Sequence, residues 1–288
     1  MPADRDDPVQ PNRPDSPCPV QSAPAPPRWI DIGVNLTDRR FALDLAAVVG
    51  RASAAGVDRI IVTGTDLAHS RAAIALCARM PGMLSCCVGV HPHVAAAVGD
   101  ELLPELRMLA GNPGVCAIGE TGLDYDRDHS PRARQREVFA SQLALAAELQ
   151  LPVFVHDRAS AGDVVAMLRE HRAALVDVVV HCFTGTGAEL EALLALDCHI
   201  GITGWVCDER RGGELAGLVP QIPADRLLLE TDAPWLTPRT LKPRPPRNEP
   251  ALLPEIGRVV AGLRGCAVTE LASRTTANAR RFFRLDGD

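Results

Sequence analysis

The chain has 288 residues, 47% hydrophobic and 23% charged, with a formal net charge of -6. This is ordinary globular composition, enough for one large domain or two small ones. The negative charge argues against broad electrostatic attachment to nucleic acid, and no apolar run is long enough to cross a bilayer.

Residues 1–28 are rich in Pro, Asp, Gln and Ser and nearly free of large apolar side chains. The segment reads as a disordered tail. It lacks the apolar centre of a signal peptide, so the chain reads as cytoplasmic. From Trp29 onward, over residues 29–288, apolar runs alternate with stretches of helical length. Strands are expected at 29–34, 59–63, 84–90, 115–119, 152–155, 177–180, 199–202 and 226–229. Helices are expected between them, among others at 39–55, 67–79, 132–149, 162–171 and 189–194, with a closing pair at 252–263 and 269–283. Eight such units predict a parallel sheet covered on both faces, and the length suits a closed (β/α)8 TIM barrel. An open doubly wound sheet would need a glycine-rich nucleotide loop after the first strand, and Asp31-Ile32-Gly33-Val34-Asn35 is not one.

In such a barrel the chemistry gathers where strands end. Here Asn35, Asp66, His91, His93, Glu120, His156, His181, Trp205 and Asp232 each follow an apolar run. Glu120 is central. A carboxylate closing a buried strand is costly without a cation. His156 and His181 close successive β-branched strands and sit on neighbouring staves. With Glu120 they form an N, N, O set suited to a divalent metal, and Asp232 adds a second carboxylate. Arg158, two residues past His156, is placed to hold an anionic substrate. His91 and His93 are candidates for contacting a phosphate or leaving group. Trp205 offers a stacking surface for a base, with Arg210 and Arg211 nearby. Lys242 is the only lysine, so phosphate contacts fall to guanidinium forks. The nine cysteines contain no Cys-x-x-Cys and read as buried thiols in a reducing compartment.

Several segments, in order, resemble the TatD family of metal-dependent deoxyribonucleases. They are Asp31-Ile32-Gly33-Val34-Asn35-Leu36, Gly89-Val90-His91-Pro92-His93, Gly119-Glu120-Thr121-Gly122-Leu123-Asp124, His181-Cys182-Phe183-Thr184-Gly185, Glu230-Thr231-Asp232-Ala233-Pro234 and Arg247-Asn248-Glu249-Pro250. The resemblance implies a metallo-hydrolase barrel and 3′-to-5′ exonuclease activity on single-stranded DNA, and on RNA as a further substrate, with a role in DNA repair or degradation. It implies metal ligation by Glu120, His156, His181 and Asp232, with Asp232 and Glu120 catalytic. Magnesium is the first choice of ion, with manganese and zinc as alternatives. Most members carry a His-x-His pair on the first strand; here those positions are Gly33 and Asn35. Gly33 is expected to leave room for water, and Asn35 to offer a weak metal contact. Most members also follow the Arg of the His-x-Arg motif with an acidic residue, whereas here that position is Ala159. Two other functions compete: a metallo-hydrolase of a carbonyl substrate (amide, lactone or acyl-tRNA ester), and a non-catalytic metal-binding barrel. No protein partner is inferable, and no membrane association is expected.

Overall fold

The computed structural model describes residues 26–285. The predicted tail lies almost wholly outside them. Eight strands form one sheet in sequence order, every neighbouring pair parallel. They are β1 Trp29–Val34, β2 Val57–Val62, β3 Leu84–Val88, β4 Val115–Asp124, β5 Val153–Arg158, β6 Val178–His181, β7 His199–Ile202 and β8 Leu227–Leu229. The seam between β1 and β8 closes just above the strands. Asp232 N donates to the Gly33 carbonyl at 2.9 Å and Asn35 N to the Ala233 carbonyl at 2.8 Å. The architecture is the expected (β/α)8 barrel.

Helices α1 Leu45–Ala54, α2 Leu67–Arg79, α3 Leu102–Ala110, α4 Arg132–Leu149, α5 Asp163–His171, α6 Gly187–Ala195 and α7 Gly213–Leu218 occupy the crossovers. Helices α8 Leu253–Arg264 and α9 Val268–Phe283 follow the last strand. The helix expected over 39–55 is broken. Asp38 caps a 3₁₀ turn, Arg39–Phe41, by accepting from Arg40 N, and the helix proper starts at Leu45.

Two apolar layers follow from the pleat. One lies between strands and helices. The other fills the barrel: Ile32, Ile61, Cys87, Ala117, Phe154, Val179 and Leu228, plugged from below by Phe282 and Phe283 of α9. Because side chains alternate with period two, the next inward step above this plug is set. It is His156 above Phe154, His181 above Val179 and Glu230 above Leu228. The floor of the mouth is therefore polar, and its ceiling is solvent.

β4 runs past the expected end at Gly119 to Asp124, so Glu120 lies inside a strand. It is the extra residue of a bulge: Gly119 pairs with Phe154 and Thr121 with Val155, leaving Glu120 unmatched. Its N–H donates instead to the Gly64 carbonyl at 2.8 Å. The bracketing glycines make this approach feasible. Both have φ near +145° (146° and 143°), and a Cβ would fall 2.4 Å from the Phe154 carbonyl at Gly119 and 1.9 Å from the His156 carbonyl at Gly122.

Helix α4 grips these strand ends with two buried glutamines. Gln142 accepts from Val90 N at 2.8 Å and donates to the Val90 carbonyl at 3.0 Å and to Thr121 Oγ1 at 2.6 Å. Gln135 accepts from Asp124 N at 2.8 Å and donates to the carbonyls of Asp124 and Ser130. Gln142→Met keeps the volume but strands the Val90 N–H and C=O. Each stranded group costs about 1–3 kcal/mol. Urea unfolding is expected to show at least one such step, and an unchanged midpoint would refute the clamp.

Candidate metal centre

Glu120 is buried, and three imidazoles converge on its Oε1. His181 Nε2 lies at 2.7 Å, His156 Nδ1 at 2.9 Å and His91 Nε2 at 3.3 Å. The register explains two of them: His156 and His181 are direct partners on β5 and β6. Burial alone would raise the Glu120 carboxyl, but His181, His91 and His156 outweigh it and hold it well below the usual carboxylate range.

His91 Nδ1 accepts the His93 backbone N–H at 3.1 Å. That bond places the proton of the neutral ring on Nε2. Burial pushes the His91 pKa down to about 4, against the pull of Glu120, so the ring is neutral. The ligand atoms of His91, Glu120 and His156 lie within 4.8 Å of one another, yet His91 as bonded here is a donor.

His156 and His181 differ in what stands behind them. His156 Nε2 is buried without a hydrogen-bond partner, 3.4 Å from Asp124 Oδ2. His181 Nδ1 and Glu230 Oε2 are likewise unpartnered and 3.4 Å apart. Each imidazole thus has a carboxylate facing its far nitrogen that can accept that nitrogen's N–H, so the near nitrogen can offer its lone pair to a cation held by Glu120. This is the outer arrangement that orients metal-ligating histidines. Burial lowers the pKa of both rings, but Glu120 and Glu230 lift His181 well above its ordinary value, and Asp124 and Glu120 lift His156. Positive charge is required beside Glu120, as protons or as a divalent cation. The donor set of two imidazoles and a carboxylate fits the cation.

Asp232 lies across the mouth at φ 54°. Asn35 Nδ2 donates to its Oδ1 at 3.3 Å. Burial pushes the Asp232 carboxyl up to about 7; Glu120 and Glu230 add to the shift and His181 opposes it. Arg158, Arg211, Trp205 and Trp235 line the same cavity of 660 Å³, together with His91, His93 and Asn35. Arg211, rather than Arg210, reaches it, and lies 4.5 Å from the Trp205 ring centre. Arg158 donates to Asp126 at 3.0 Å, with its guanidinium 5.9 Å from Trp205. His93 turns away from Glu120 and binds Asp124 Oδ2 at 2.6 Å.

Two features depart from the sequence expectation. Asp124 and Glu230, given no role by the sequence, are buried carboxylates behind His156 and His181; the inward step above Leu228 was the signal for Glu230. Gly33 does not leave room for water, because a Cβ there would sit 2.2 Å from Glu230 Oε2. The volume belongs to a carboxylate. The cysteines outside the tail are, as expected, free thiols, mostly buried.

Fold and rim together define a (β/α)8 barrel with a carboxylate–imidazole centre of metal-binding type. The family model for TatD related DNase matches residues 30–284. The chain belongs to that metal-dependent family. Over 257 residues it is 52% identical to the 3'-5' ssDNA/RNA exonuclease TatD of Erwinia tasmaniensis, covering 88% of this chain and 99% of that protein. It is 51% identical to the protein of the same name from Yersinia pseudotuberculosis, with the same coverage. Among solved structures it is similar to the TatD homolog YJJV of Escherichia coli K12. The TM-score is 0.82 at 29% identity, covering 89% of this chain and 98% of that one. A TatD family hydrolase of Entamoeba histolytica aligns with a TM-score of 0.79 at 26% identity, with the same two coverages. Among the described residues no helix is long and apolar enough to cross a membrane.

The competition between Gly33 and Glu230 is testable. Gly33→Ala must displace the carboxylate, and overpacking of this kind costs about 1–3 kcal/mol. Glu230→Asp, one methylene shorter, is expected to recover part of that loss in a double-mutant cycle read by thermal unfolding. Simple additivity of the two changes would refute the shared volume.

Proposed function

We propose that the protein is a divalent-metal-dependent exonuclease that hydrolyses phosphodiester bonds of single-stranded DNA or RNA from the 3′ end. One observation carries the reading: Glu120 Oε1 is shared by His156 and His181 at 2.9 and 2.7 Å, on the floor of a mouth walled by arginine and tryptophan. The names of the relatives point the same way.

When bound, a divalent cation supplies Lewis acidity that polarises a phosphoryl oxygen and makes water a better nucleophile. Glu120, His156 and His181 would hold it, and Asp232 with Asn35 would offer oxygen on the opposite side. Asp232 takes a proton from the attacking water. The neutral His91 donates its Nε2–H to a phosphoryl oxygen. Arg158 and Arg211 neutralise flanking phosphates, and Trp205 stacks a base. The oxygen-rich Asp232 side favours magnesium or manganese, ions that retain water in an oxygen shell.

Glu120→Gln is expected to lower the digestion rate of 5′-labelled single-stranded DNA with a free 3′ end by at least a thousand-fold, with the fold intact by circular dichroism. A carboxamide is a poor ligand for hard cations. Turnover within ten-fold of the parent would refute the site. After chelation, magnesium or manganese is expected to restore digestion of the parent. Restoration by zinc alone would overturn the choice of ion.

A further inference from the structure

Trp235 is one of four exposed large hydrophobic side chains among the described residues, and the only one of these that lines the cavity. It is 43% exposed. On one side the Arg40 guanidinium lies 4.7 Å from its ring centre. Arg40 is itself locked by both oxygens of Asp38, at 2.9 and 3.0 Å. The two partners come from opposite sides of the barrel seam, Arg40 after β1 and Trp235 after β8.

Two consecutive residues further along the connection after β8 hold them together. Arg247 donates to the Arg40 carbonyl, and Asn248 Nδ2 donates to the Trp235 carbonyl at 2.6 Å and the Thr231 carbonyl at 2.8 Å. Trp235 N is also bonded to the Asp232 carbonyl at 3.0 Å. The indole is thus fixed by its main chain three residues from the Asp232 carboxylate. Its loop also touches that of Trp205, since a Cβ on Gly204 would fall 2.1 Å from the Leu236 carbonyl.

We infer that Trp235, backed by Arg40, is a second base-stacking platform, which takes an unpaired nucleobase in the same mouth as Trp205. An indole with one face covered by a guanidinium and an exposed remainder suits a planar aromatic ring. A base still paired in a duplex cannot lie flat against it, so the platform selects single strands. This rests on the nuclease reading above.

The chain's three tryptophans make the test direct. Trp29 is 2% exposed in the barrel wall. In a Glu120→Gln, Trp205→Phe double variant, the responsive emission comes from Trp235. Titration with a twelve-nucleotide oligothymidylate is expected to quench that emission saturably, whereas a blunt duplex of equal length leaves it unchanged. In the otherwise parental chain, Trp235→Ala is expected to raise KM for the oligothymidylate roughly ten-fold with kcat changed less than three-fold, and Trp235→Phe to restore most of it. Absent quenching, or an unchanged KM, overturns the platform. Digestion by the parental chain is measured in parallel. Quenching in the double variant beside a parent that never cleaves leaves the platform standing and refutes the nuclease reading instead.

Discussion

A single oxygen, Oε1 of Glu120, sets the terms for the whole upper half of the barrel. A carboxylate placed in the interior of a sheet is tolerable only with compensating positive charge. Satisfying it draws in His156 and His181 from adjacent strands and His91 from the loop after β3. Those imidazoles in turn require Asp124 and Glu230 behind them. Five charged or chargeable groups thus descend from one buried acid, and the bulge at Glu120 aims it at the axis.

The acidic balance of the chain and a nucleic-acid substrate are compatible because the two operate at different places. Carboxylates are concentrated at the floor, where a cation belongs. Arginines are held at the walls, several of them pinned by aspartates: Arg158 by Asp126, Arg211 by Asp208 and Arg40 by Asp38. Such pairing removes long-range attraction but leaves planar guanidinium groups in fixed orientations beside indoles. Recognition of this kind is local and geometric, and suits a short end of a strand better than a long duplex.

Much of the fold was legible from the alternation of apolar runs with helix-length stretches, because a parallel barrel buries both faces of every strand. The residues at strand ends were legible for the same reason: a polar side chain after a β-branched run has one place to go. What could not be read was the course of β4, since the bulge depends on where β2 and β5 present their carbonyls. Glu230 was hidden beside the more familiar Asp232, and only the inward alternation above Leu228 distinguishes their roles. The split of the helix over 39–55 turned on the Asp38 cap, which local apolar periodicity does not register. Gly33 was misread as open space because the carboxylate filling it lies 197 positions further along the chain.

The seam has a consequence for how the protein is made. Residue 35 meets residue 232, and the loop at 247–249 fastens both sides of the join. The first seven strands and all three imidazoles precede Glu230 and Asp232 in the chain. The catalytic mouth closes only when nearly the full length has emerged.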